Sequence, residues 1–501
     1  MAFKSILFKN DGILLKQEEP VFFKDLNLDK IVDNIIGIND DIKLKYIFYT
    51  HLDNINEIKF RQDIFTDLMN NNILSIIKDY YNKIAMMNGY LSNIESLYKY
   101  QKERWLLDSV EIYCEALKML YNDLSGASIK SEGLTDFNSY VGNYIKSNFF
   151  IKLYNETEKL KSELSKIRYS MHIKGKKVTV SRYKSEKDYN NEIENAFKKF
   201  SDNNSENENT GSTYGMGHVE AALLSLVAKL YPDQFESLID YYNKYKNFMD
   251  DKISSFNRDI NFYLKYLKYI EKIKNFGLNF CMPEITEEKH DIYNYEGFNL
   301  ALADKIKNET ICNDFSINNN ERIIVITGPN NGGKTTFARS FAQIHYLANL
   351  GLPVPGKRAR LFLFDNIFTH FERSENVNNL RGKLEDDLIR IKNIMDNSTE
   401  KSIVIINEML SSTTLIDAIN IGRKIIDDIR KINCICVYVT FIDELTSIKN
   451  TVSMVSQVSE ENPEIRTYKI IREPANGLAY AMALARKYGL THDMIIQRVK
   501  S

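Results

Sequence analysis

A glycine-rich segment in the second half of the chain has the residue types that bind phosphate. It reads Gly328-Pro-Asn-Asn-Gly-Gly-Lys-Thr335 and fits the pattern G-x-x-x-x-G-K-[ST], with a β-branched run before it and a helix-like run after it. Glycines let backbone N–H groups approach phosphate oxygens, and the helix N-terminus adds partial positive charge. The predicted nucleotide-binding residues are Gly328, Pro329, Asn330, Asn331, Gly332, Gly333, Lys334, Thr335 and Thr336.

Three side chains of this segment have distinct expected roles. Lys334 is expected to reach the β- and γ-phosphates of ATP, and Thr335 to offer its hydroxyl to Mg²⁺. Thr336 is expected to touch the α-phosphate. The segment therefore predicts ATP and Mg²⁺ as cofactors.

A polar pair, Asn407-Glu408, follows the apolar run Ile403–Ile406. In nucleotide-hydrolysing sites the first such residue holds the Mg²⁺ shell and the second orients the attacking water, so Glu408 and Lys334 are the predicted catalytic residues. Asn407 is expected to meet Mg²⁺ through a bound water. Because Asn407 brings no negative charge, we expect weak Mg²⁺ dependence or slow turnover. The alternative is a strand end with two solvated polar residues.

The secondary structure predicted to position these residues changes near residue 300. Before that point the pattern is helical, with few helix-breaking residues. After it, short β-branched runs alternate with helical stretches, which predicts an α/β unit with a mainly parallel sheet. The predicted strands are Ile323–Thr327, Leu361–Phe364, Ile403–Ile406 and Ile435–Thr440.

The longest predicted helix is 234–276, a segment without Gly or Pro. Its apolar residues recur at three- and four-residue steps, the pattern of an amphipathic helix. A continuous helix of this length would span about 60 Å. The alternative to a mechanical role is a bundle helix that only supports the fold.

A basic hairpin is predicted within 166–187. Ile167–Ile173 and Val178–Tyr183 have strand character, with a turn at Lys174-Gly175. Eight basic residues and one acidic residue in this segment can neutralise phosphates; the alternative is that they only keep the hairpin solvated. The segment 201–217 is polar and is predicted to be a flexible loop. The predicted nucleic-acid contacts are Arg168, Lys174, Lys176, Lys177, Arg182 and Lys184.

The overall composition excludes several classes of protein. The 501 residues hold 66 Lys and Arg against 67 Asp and Glu, which excludes a uniformly basic nucleic-acid coat and an acidic disordered chaperone. Five cysteines without a C-x-x-C pair indicate neither a disulfide framework nor a zinc site. With no secretory leader and no membrane-spanning run expected, we predict a cytoplasmic protein. Cys434 and Cys436 are expected in a core, and His345 on a helix surface or packed.

The string TGPNNGGKTT at 327–336 resembles the TGPNMGGKST loop of MutS-type DNA mismatch-repair ATPases. The similarity continues along the second half of the chain. The resemblance implies an α-helical core, lever and clamp half followed by an α/β P-loop ATPase domain of the ABC type, and a homodimer that binds double-stranded or branched DNA. The further similar segments are Gly351–Pro355, Asp365–Thr369, Asn407–Met409, Thr440–Leu445 and Gly477–Leu490.

The resemblance also implies a division of the chain. We expect a helical core at 1–125, a clamp-like segment with the basic hairpin at 126–218, and a long lever helix with a return to the core at 219–290. The ATPase domain is expected at 291–501. Because the helical pattern begins near residue 25, we expect no mismatch-reading domain, and we interpret Phe371-Glu372-Arg373 as coincidence rather than as a mismatch wedge.

Three departures from the family pattern concern catalysis. Gly382-Lys383 stands where the family has a Ser-Thr pair that reaches the partner's γ-phosphate, Phe441 stands at a switch His, and Asn407 replaces an Asp. They favour nucleotide binding over efficient hydrolysis. Lys383 is a candidate to face a partner's phosphates instead.

Two functions fit these residues. The first is a nucleotide-controlled DNA clamp in DNA repair or recombination, without mismatch reading and with weak ATP hydrolysis. The alternative is a nucleotide-gated module that binds structured RNA, the ribosome or protein partners with little or no ATPase activity. A general P-loop ATPase of the structural-maintenance type is disfavoured by Pro329-Asn330 and by the lack of a very long coiled coil.

Overall fold

The computed structural model of the chain describes residues 3–10, 12–37, 42–175, 177–184, 216–372, 382–410, 413–459, 465–475 and 492–500. No helix in these ranges is long and apolar enough to cross a membrane. Some residues singled out in the sequence lie outside the described ranges, namely Lys176, 185–187, 201–215, Arg373 and Gly477–Leu490.

The helices are numbered in chain order over the described residues. They are α1 (Phe22–Leu26), α2 (Leu28–Ile36), α3 (Ile42–Tyr49), α4 (Ile55–Leu68), α5 (Asn71–Ser92), α6 (Lys99–Ser125), α7 (Glu132–Ile145), α8 (Asn148–Ser165), α9 (His218–Leu230), α10 (Pro232–Tyr245), α11 (Asp251–Lys274), α12 (Leu300–Ile306), α13 (Lys334–Asn349), α14 (Lys383–Asn397), α15 (Leu415–Ile432) and α16 (His492–Lys500). Short 3₁₀ turns occur at Ile94–Ser96, Lys307–Glu309 and Asp443–Ser447.

The strands are numbered in the same way. They are β1 (Tyr169–Lys174), β2 (Lys177–Arg182), β3 (Phe280–Cys281), β4 (Glu284–Thr286), β5 (Ile292–Gly297), β6 (Asn313–Ile317), β7 (Ile323–Thr327), β8 (Val354–Pro355), β9 (Arg358–Phe362), β10 (Ile367–His370), β11 (Ile403–Asn407), β12 (Ile435–Val439), β13 (Thr451–Val458) and β14 (Arg466–Arg472).

The chain divides into two compact units. The helical unit comprises Met1–Phe3 and Asp67–Asn257, and the α/β unit comprises Lys4–Thr66 and Arg258–Ser501. The chain is thus multidomain, with helical structure followed by an α/β region. The functional boundaries expected near residues 125, 218 and 290 stay predictions.

The helical unit is held together by apolar helix faces and aromatic contacts. On α6 the buried residues recur at three- and four-residue steps, as expected for an amphipathic helix. The rings of Phe137 and Phe256 stack with their centroids 3.5 Å apart, and Phe3 packs 4.9 Å from Phe137. Such aromatic pairs contribute more to stability than their buried area alone.

The predicted basic hairpin is confirmed. Strands β1 and β2 pair antiparallel, with Lys174 opposite Lys177 at the turn. Gly175 has φ +62°, a left-handed conformation that glycine adopts without a steric penalty. Ile167 and Val180 pack against a small apolar cluster that includes Val227 and Ala228, which anchors the hairpin to the end of α9.

The prediction of one continuous helix over 234–276 is wrong, because the chain breaks between α10 and α11. Asp250 caps the helix that follows the break. Its Oδ1 accepts hydrogen bonds from the backbone N–H groups of Lys252 (2.9 Å) and Ile253 (3.1 Å), which starts α11. Asp is favoured at such caps because its carboxylate satisfies N–H groups that have no partner inside the helix. Apolar periodicity continues through the break, so it did not reveal this interruption.

The core of the α/β unit is a six-stranded sheet in the order β10-β11-β12-β7-β13-β14. The first five strands are parallel and β14 is antiparallel to β13, which confirms the mainly parallel sheet. Every residue of β7, β11 and β12 is buried, as expected for central strands covered on both faces.

One predicted strand of this unit is misplaced. The apolar run Leu361–Phe364 is only partly a strand, because β9 spans Arg358–Phe362. This strand belongs to a separate four-stranded sheet, in the order β4-β9-β5-β6. Leu363 and Phe364 are buried beyond its end, so burial rather than strand pairing accounts for the rest of the run.

Candidate functional site

The glycine-rich loop, Gly328–Gly333, connects the carboxyl end of β7 to the first residue of α13. Gly328 and Gly333 have φ values of +116° and +94°, which residues with a side chain rarely adopt. A Cβ atom on Gly332 would lie 2.2 Å from the Ser456 hydroxyl oxygen. The loop therefore needs its glycines for backbone conformation and for packing against β13.

Lys334 lies inside this loop and is almost fully buried. Its Nζ donates hydrogen bonds to the carbonyl oxygens of Gly328 and Pro329, both at 3.0 Å. Burial lowers the pKa of Lys334, and the negative charge of Glu408, 4.0 Å away, acts in the opposite direction.

Thr335 and Asn407 come from separate sequence motifs and meet in the fold. The Thr335 hydroxyl donates to the Asn407 Oδ1 atom at 2.8 Å. Asn407 ends β11, and Glu408 follows with φ +53° and donates its backbone N–H to Val439 at 3.0 Å. A positive φ is unusual for a residue with a side chain and is frequent at functional sites.

Phe441 follows β12 and contacts the same lysine. Its ring centroid lies 4.4 Å from the Lys334 Nζ atom, within the range of a cation–π interaction. About half of the Phe441 side chain is exposed. The sequence identified this position only as a departure from the family pattern, and the contact with Lys334 was not predicted.

A cavity of about 980 Å³ opens beside the loop. Asn331, Lys334, Thr335 and Glu408 contribute polar groups to its wall, and Tyr468 lines it from β14. The volume is in the range of small-molecule sites, and polar and apolar groups share the wall. Its apolar wall is formed by Phe298, Leu302, Ile306, Phe315, Phe337 and Phe341.

Two contacts to the loop were missed from the sequence. The Ser456 hydroxyl of β13 donates to the Gly332 carbonyl oxygen at 2.6 Å, and Arg466 Nε of β14 donates to the Asn330 carbonyl oxygen at 3.2 Å. Neither residue belongs to a recognisable motif. The sequence analysis predicted neither β13 nor β14, so no sequence signal singled out Ser456 or Arg466.

The oxygen groups here suit a nucleotide-bound Mg²⁺ better than a metal held by protein alone. Thr335 and Asn407 offer neutral oxygens, and Glu408 supplies the nearby carboxylate. Mg²⁺ keeps several waters and is usually held by few protein groups together with substrate phosphates. The residues therefore fit Mg²⁺ that enters with a nucleotide.

Gly382-Lys383, at the position of the family's Ser-Thr pair, lies in a region with several local side-chain contacts. Lys383, the first residue of α14, forms an ion pair with Glu372. Phe371 is buried, with the Arg339 guanidinium 5.0 Å from its ring. Phe371 and Glu372 thus make packing and ion-pair contacts within the α/β unit.

The basic hairpin exposes its charged side chains differently at its two ends. Lys174 and Lys177 are exposed at the turn. Arg182 donates a 2.7 Å hydrogen bond to the Leu230 carbonyl oxygen and lies over the Tyr231 ring. Arg182 is therefore fixed by contacts with Leu230 and Tyr231, whereas Lys174 and Lys177 are exposed at the turn. The remaining exposed predicted contacts are Arg168 and Lys184.

His345, Cys434 and Cys436 are packing residues. All three are buried, which confirms the expectation for the cysteines and places His345 in the interior. The His345 Nδ1 atom lies 2.8 Å from the Phe341 carbonyl oxygen, and burial lowers the pKa of His345 to about 4. His345 is therefore neutral at pH 7.

Comparison with known proteins finds relatives of the C-terminal part of the chain. Residues 324–501 match the MutS domain V family. DNA mismatch repair protein MutS of Clostridium kluyveri (strain ATCC 8527) is 29% identical over 227 residues, which cover 43% of this chain and 26% of the relative. MutS of Clostridium botulinum (strain Okra) is 32% identical over 227 residues, covering 43% of this chain and 24% of the relative.

The match spans about a quarter of the length of these relatives. It includes β7, the glycine-rich loop, α13 and the Asn407-Glu408 pair. The resemblance expected from the loop sequence is thereby confirmed. Over residues 324–501, this chain is therefore similar to the MutS family.

Proposed function

We propose that this chain is an ATP-binding, MutS-like protein that acts as a nucleotide-controlled clamp on DNA, in DNA repair or recombination. One observation supports nucleotide binding most strongly: Lys334, Thr335 and Asn407 meet at the glycine-rich loop. In this proposal 291–501 form an ABC-type P-loop ATPase domain. The core, clamp and lever roles are assigned to 1–125, 126–218 and 219–290.

ATP is proposed to bind with its phosphates on the loop backbone and on Lys334. Thr335 would hold Mg²⁺ directly and Asn407 through a water. When bound, Mg²⁺ neutralises charge on the β- and γ-phosphates. Glu408 would orient the attacking water, and the missing negative charge at Asn407 supports slow hydrolysis.

DNA is proposed to bind at the basic hairpin. Lys174 and Lys177 are directly opposite each other in the β1–β2 register. Like charges at such a position destabilise a hairpin, and a phosphate group between them would remove that repulsion. Because backbone phosphates carry no sequence information, binding would be sequence-independent and weakened by salt. Double-stranded or branched DNA is the proposed ligand.

The proposal does not include mismatch reading. Phe371, which belongs to the string Phe371-Glu372-Arg373, is buried in the α/β unit. A homodimer that encloses two nucleotides is part of the proposal, with Gly382 and Lys383 near the partner's phosphates. The Lys383–Glu372 ion pair would have to open for this contact.

A second candidate is a nucleotide-gated interaction module with little or no ATPase activity. It would bind structured RNA, the ribosome or a protein partner. The observation that favours it is the Phe441 ring against Lys334, together with the uncharged Asn407. Both features weaken charge stabilisation of a hydrolytic transition state without removing the phosphate cradle.

Binding of a fluorescent ATP analogue and phosphate release by the purified chain test the proposal. Wild-type protein is expected to bind the analogue, and Lys334→Ala to bind it about 100-fold more weakly because it loses a buried charge-assisted contact. Glu408→Gln is expected to bind normally but to lose phosphate release. Lys392→Ala, at an exposed lysine of α14, is the control.

The outcomes separate the two candidates. Slow phosphate release that disappears in Glu408→Gln supports the clamp ATPase. Binding without any release supports the interaction module. Absence of nucleotide binding by wild-type protein contradicts both.

A further inference from the structure

The carbonyl oxygens of the glycine-rich loop are held by donors of the protein itself. Lys334 Nζ bonds to Gly328 and Pro329, Ser456 to Gly332, and Arg466 to Asn330. In a planar trans peptide, a carbonyl and the N–H of the next residue point in opposite directions. Holding a carbonyl on one side therefore directs the following N–H to the other side.

The bonds from Lys334 are expected to respond to phosphate differently from the bonds made by Ser456 and Arg466. Under the proposed function, Lys334 leaves the loop carbonyls to bind phosphate. The bonds from Ser456 and Arg466 come from β13 and β14 and can persist with nucleotide bound. They hold the carbonyls of Gly332 and Asn330, so they set the directions of the Gly333 and Asn331 N–H groups.

Ser456 is packed closely against the glycine-rich loop. It is fully buried, and it lies one residue beyond Val455, which pairs with Thr327 at the end of β7. A Cβ atom on Gly328 would come within 3.0 Å of the Ser456 Cβ, and one on Gly332 within 2.2 Å of its Oγ. The loop glycines thus let the loop lie directly on this serine.

We infer that Ser456 is a positioning residue for phosphate binding, assisted by Arg466. It fixes the Gly332 carbonyl on the β13 side and thereby presents the Gly333 N–H at the start of α13. A pre-ordered N–H is worth more to an anion than one that must be oriented on binding, because the ordering cost is already met. This inference rests on the proposed function, since it assigns Ser456 a role in binding the ATP phosphates.

Displacement of a fluorescent ATP analogue by inorganic triphosphate and by adenosine tests the inference on the full chain. Ser456→Ala is expected to weaken triphosphate binding about tenfold, the size of one lost buried hydrogen bond, and to leave adenosine binding unchanged. Ser453→Ala is the matched control. Ser453 lies on the same strand, and its buried Oγ has no hydrogen-bond partner within the described residues. It should bind both ligands like wild type.

Arg466→Lys supplies a second variant in case Ser456→Ala does not fold. It keeps the positive charge, removes the Nε–H bond to Asn330, and is expected to weaken triphosphate binding about two- to threefold. Equal triphosphate binding by Ser456→Ala and wild type overturns the inference alone. An equal loss for triphosphate and adenosine also overturns it, because that pattern marks a general fold defect. If wild-type protein binds no ATP analogue, the proposed function fails and the inference fails with it.

Discussion

The glycine-rich loop of the α/β unit and the basic hairpin of the helical unit offer phosphate-binding groups in opposite ways. At the loop, Lys334 and Thr335 are each held by a hydrogen bond to a defined partner. At the hairpin turn, Lys174 and Lys177 are exposed, and neither forms an ion pair within the part of the chain that the structure describes. The loop side chains thus have defined partners before a ligand arrives, whereas the hairpin presents exposed charge.

This difference predicts different responses to substitution. A pre-ordered site discriminates by shape, so that an added methyl group is enough to damage it. A cluster of exposed lysines acts through the number of charges and is screened by salt. The same ligand group, a phosphate, would therefore be recognised by geometry in one unit and by electrostatics in the other.

The largest effect is expected from Gly332→Ala. The new Cβ atom would lie 2.2 Å from the Ser456 Oγ and 3.0 Å from the Pro329 carbonyl oxygen, so the loop must shift. We expect roughly 100-fold weaker binding of an ATP analogue in a fluorescence titration. Gly89→Ala, where no atom lies within 4 Å of the added carbon, should bind normally. Normal binding by Gly332→Ala would show that the loop is not held as described.

A smaller effect is expected from the double change Lys174→Glu and Lys177→Glu. Fluorescence anisotropy with a duplex DNA should give about 30-fold weaker binding at low salt, and the slope of log affinity against log salt should fall by about 2. The control pair is Lys59→Glu and Lys392→Glu, at exposed lysines of the α/β unit. Equal DNA binding by both double variants would refute the assignment of the hairpin.

Asn407→Asp tests whether the missing negative charge at this position weakens Mg²⁺ binding at the loop. The new carboxylate would replace the amide that accepts the Thr335 hydroxyl, and it would add the negative charge that opposes Mg²⁺. The Mg²⁺ concentration for half-maximal ATP binding is expected to fall about tenfold. Asn393→Asp on the surface of α14 is the control, and an unchanged Mg²⁺ requirement in Asn407→Asp would contradict the placement.

The smallest effects concern the pH dependence of the two units. Burial raises the pKa of Glu103 in the helical unit to about 7. The folded state then binds more protons than the unfolded state between pH 4.5 and 7, so this group lowers stability as pH rises through that window. Glu103→Gln should raise the unfolding temperature by a few degrees at pH 8 and leave it nearly unchanged at pH 4.

His345 in the α/β unit should act in the opposite direction. Burial lowers its pKa to about 4, so the unfolded state binds more protons between pH 4 and 6.5, and stability is lost as pH falls through that window. His345→Gln should reduce this acid loss. Thermal unfolding of both single variants from pH 4 to 8 is the measurement, and parallel curves for the two variants would contradict the opposite signs.

The local motif was sufficient to predict a glycine-rich loop between a strand and a helix. The conformation of this loop depends on Gly328, Gly332 and Gly333, which are close together in the sequence. Asn407 was also predictable, because a polar residue at the end of a buried parallel strand lies at the sheet edge where β7 ends. Ser456 and Arg466 were not, since their contacts depend on strand order and register across more than a hundred residues.

The helix break at Asp250 and the position of β9 have related causes. In both places apolar residues continue with the expected periodicity, and the interruption comes from polar capping or from pairing with a distant strand. Periodicity reports burial, and burial is common to helices, strands and packed loops. Tertiary contacts decide which of these forms.

The most direct test of the proposed clamp is the effect of ATP on DNA binding by the same protein. Anisotropy titrations with duplex DNA would compare wild type and Lys334→Ala, each with and without ATP. If nucleotide binding shifts the population between DNA-binding forms, ATP should change the DNA affinity of wild type at least fivefold and leave Lys334→Ala unchanged. Equal DNA affinity of wild-type protein with and without saturating ATP would contradict the account.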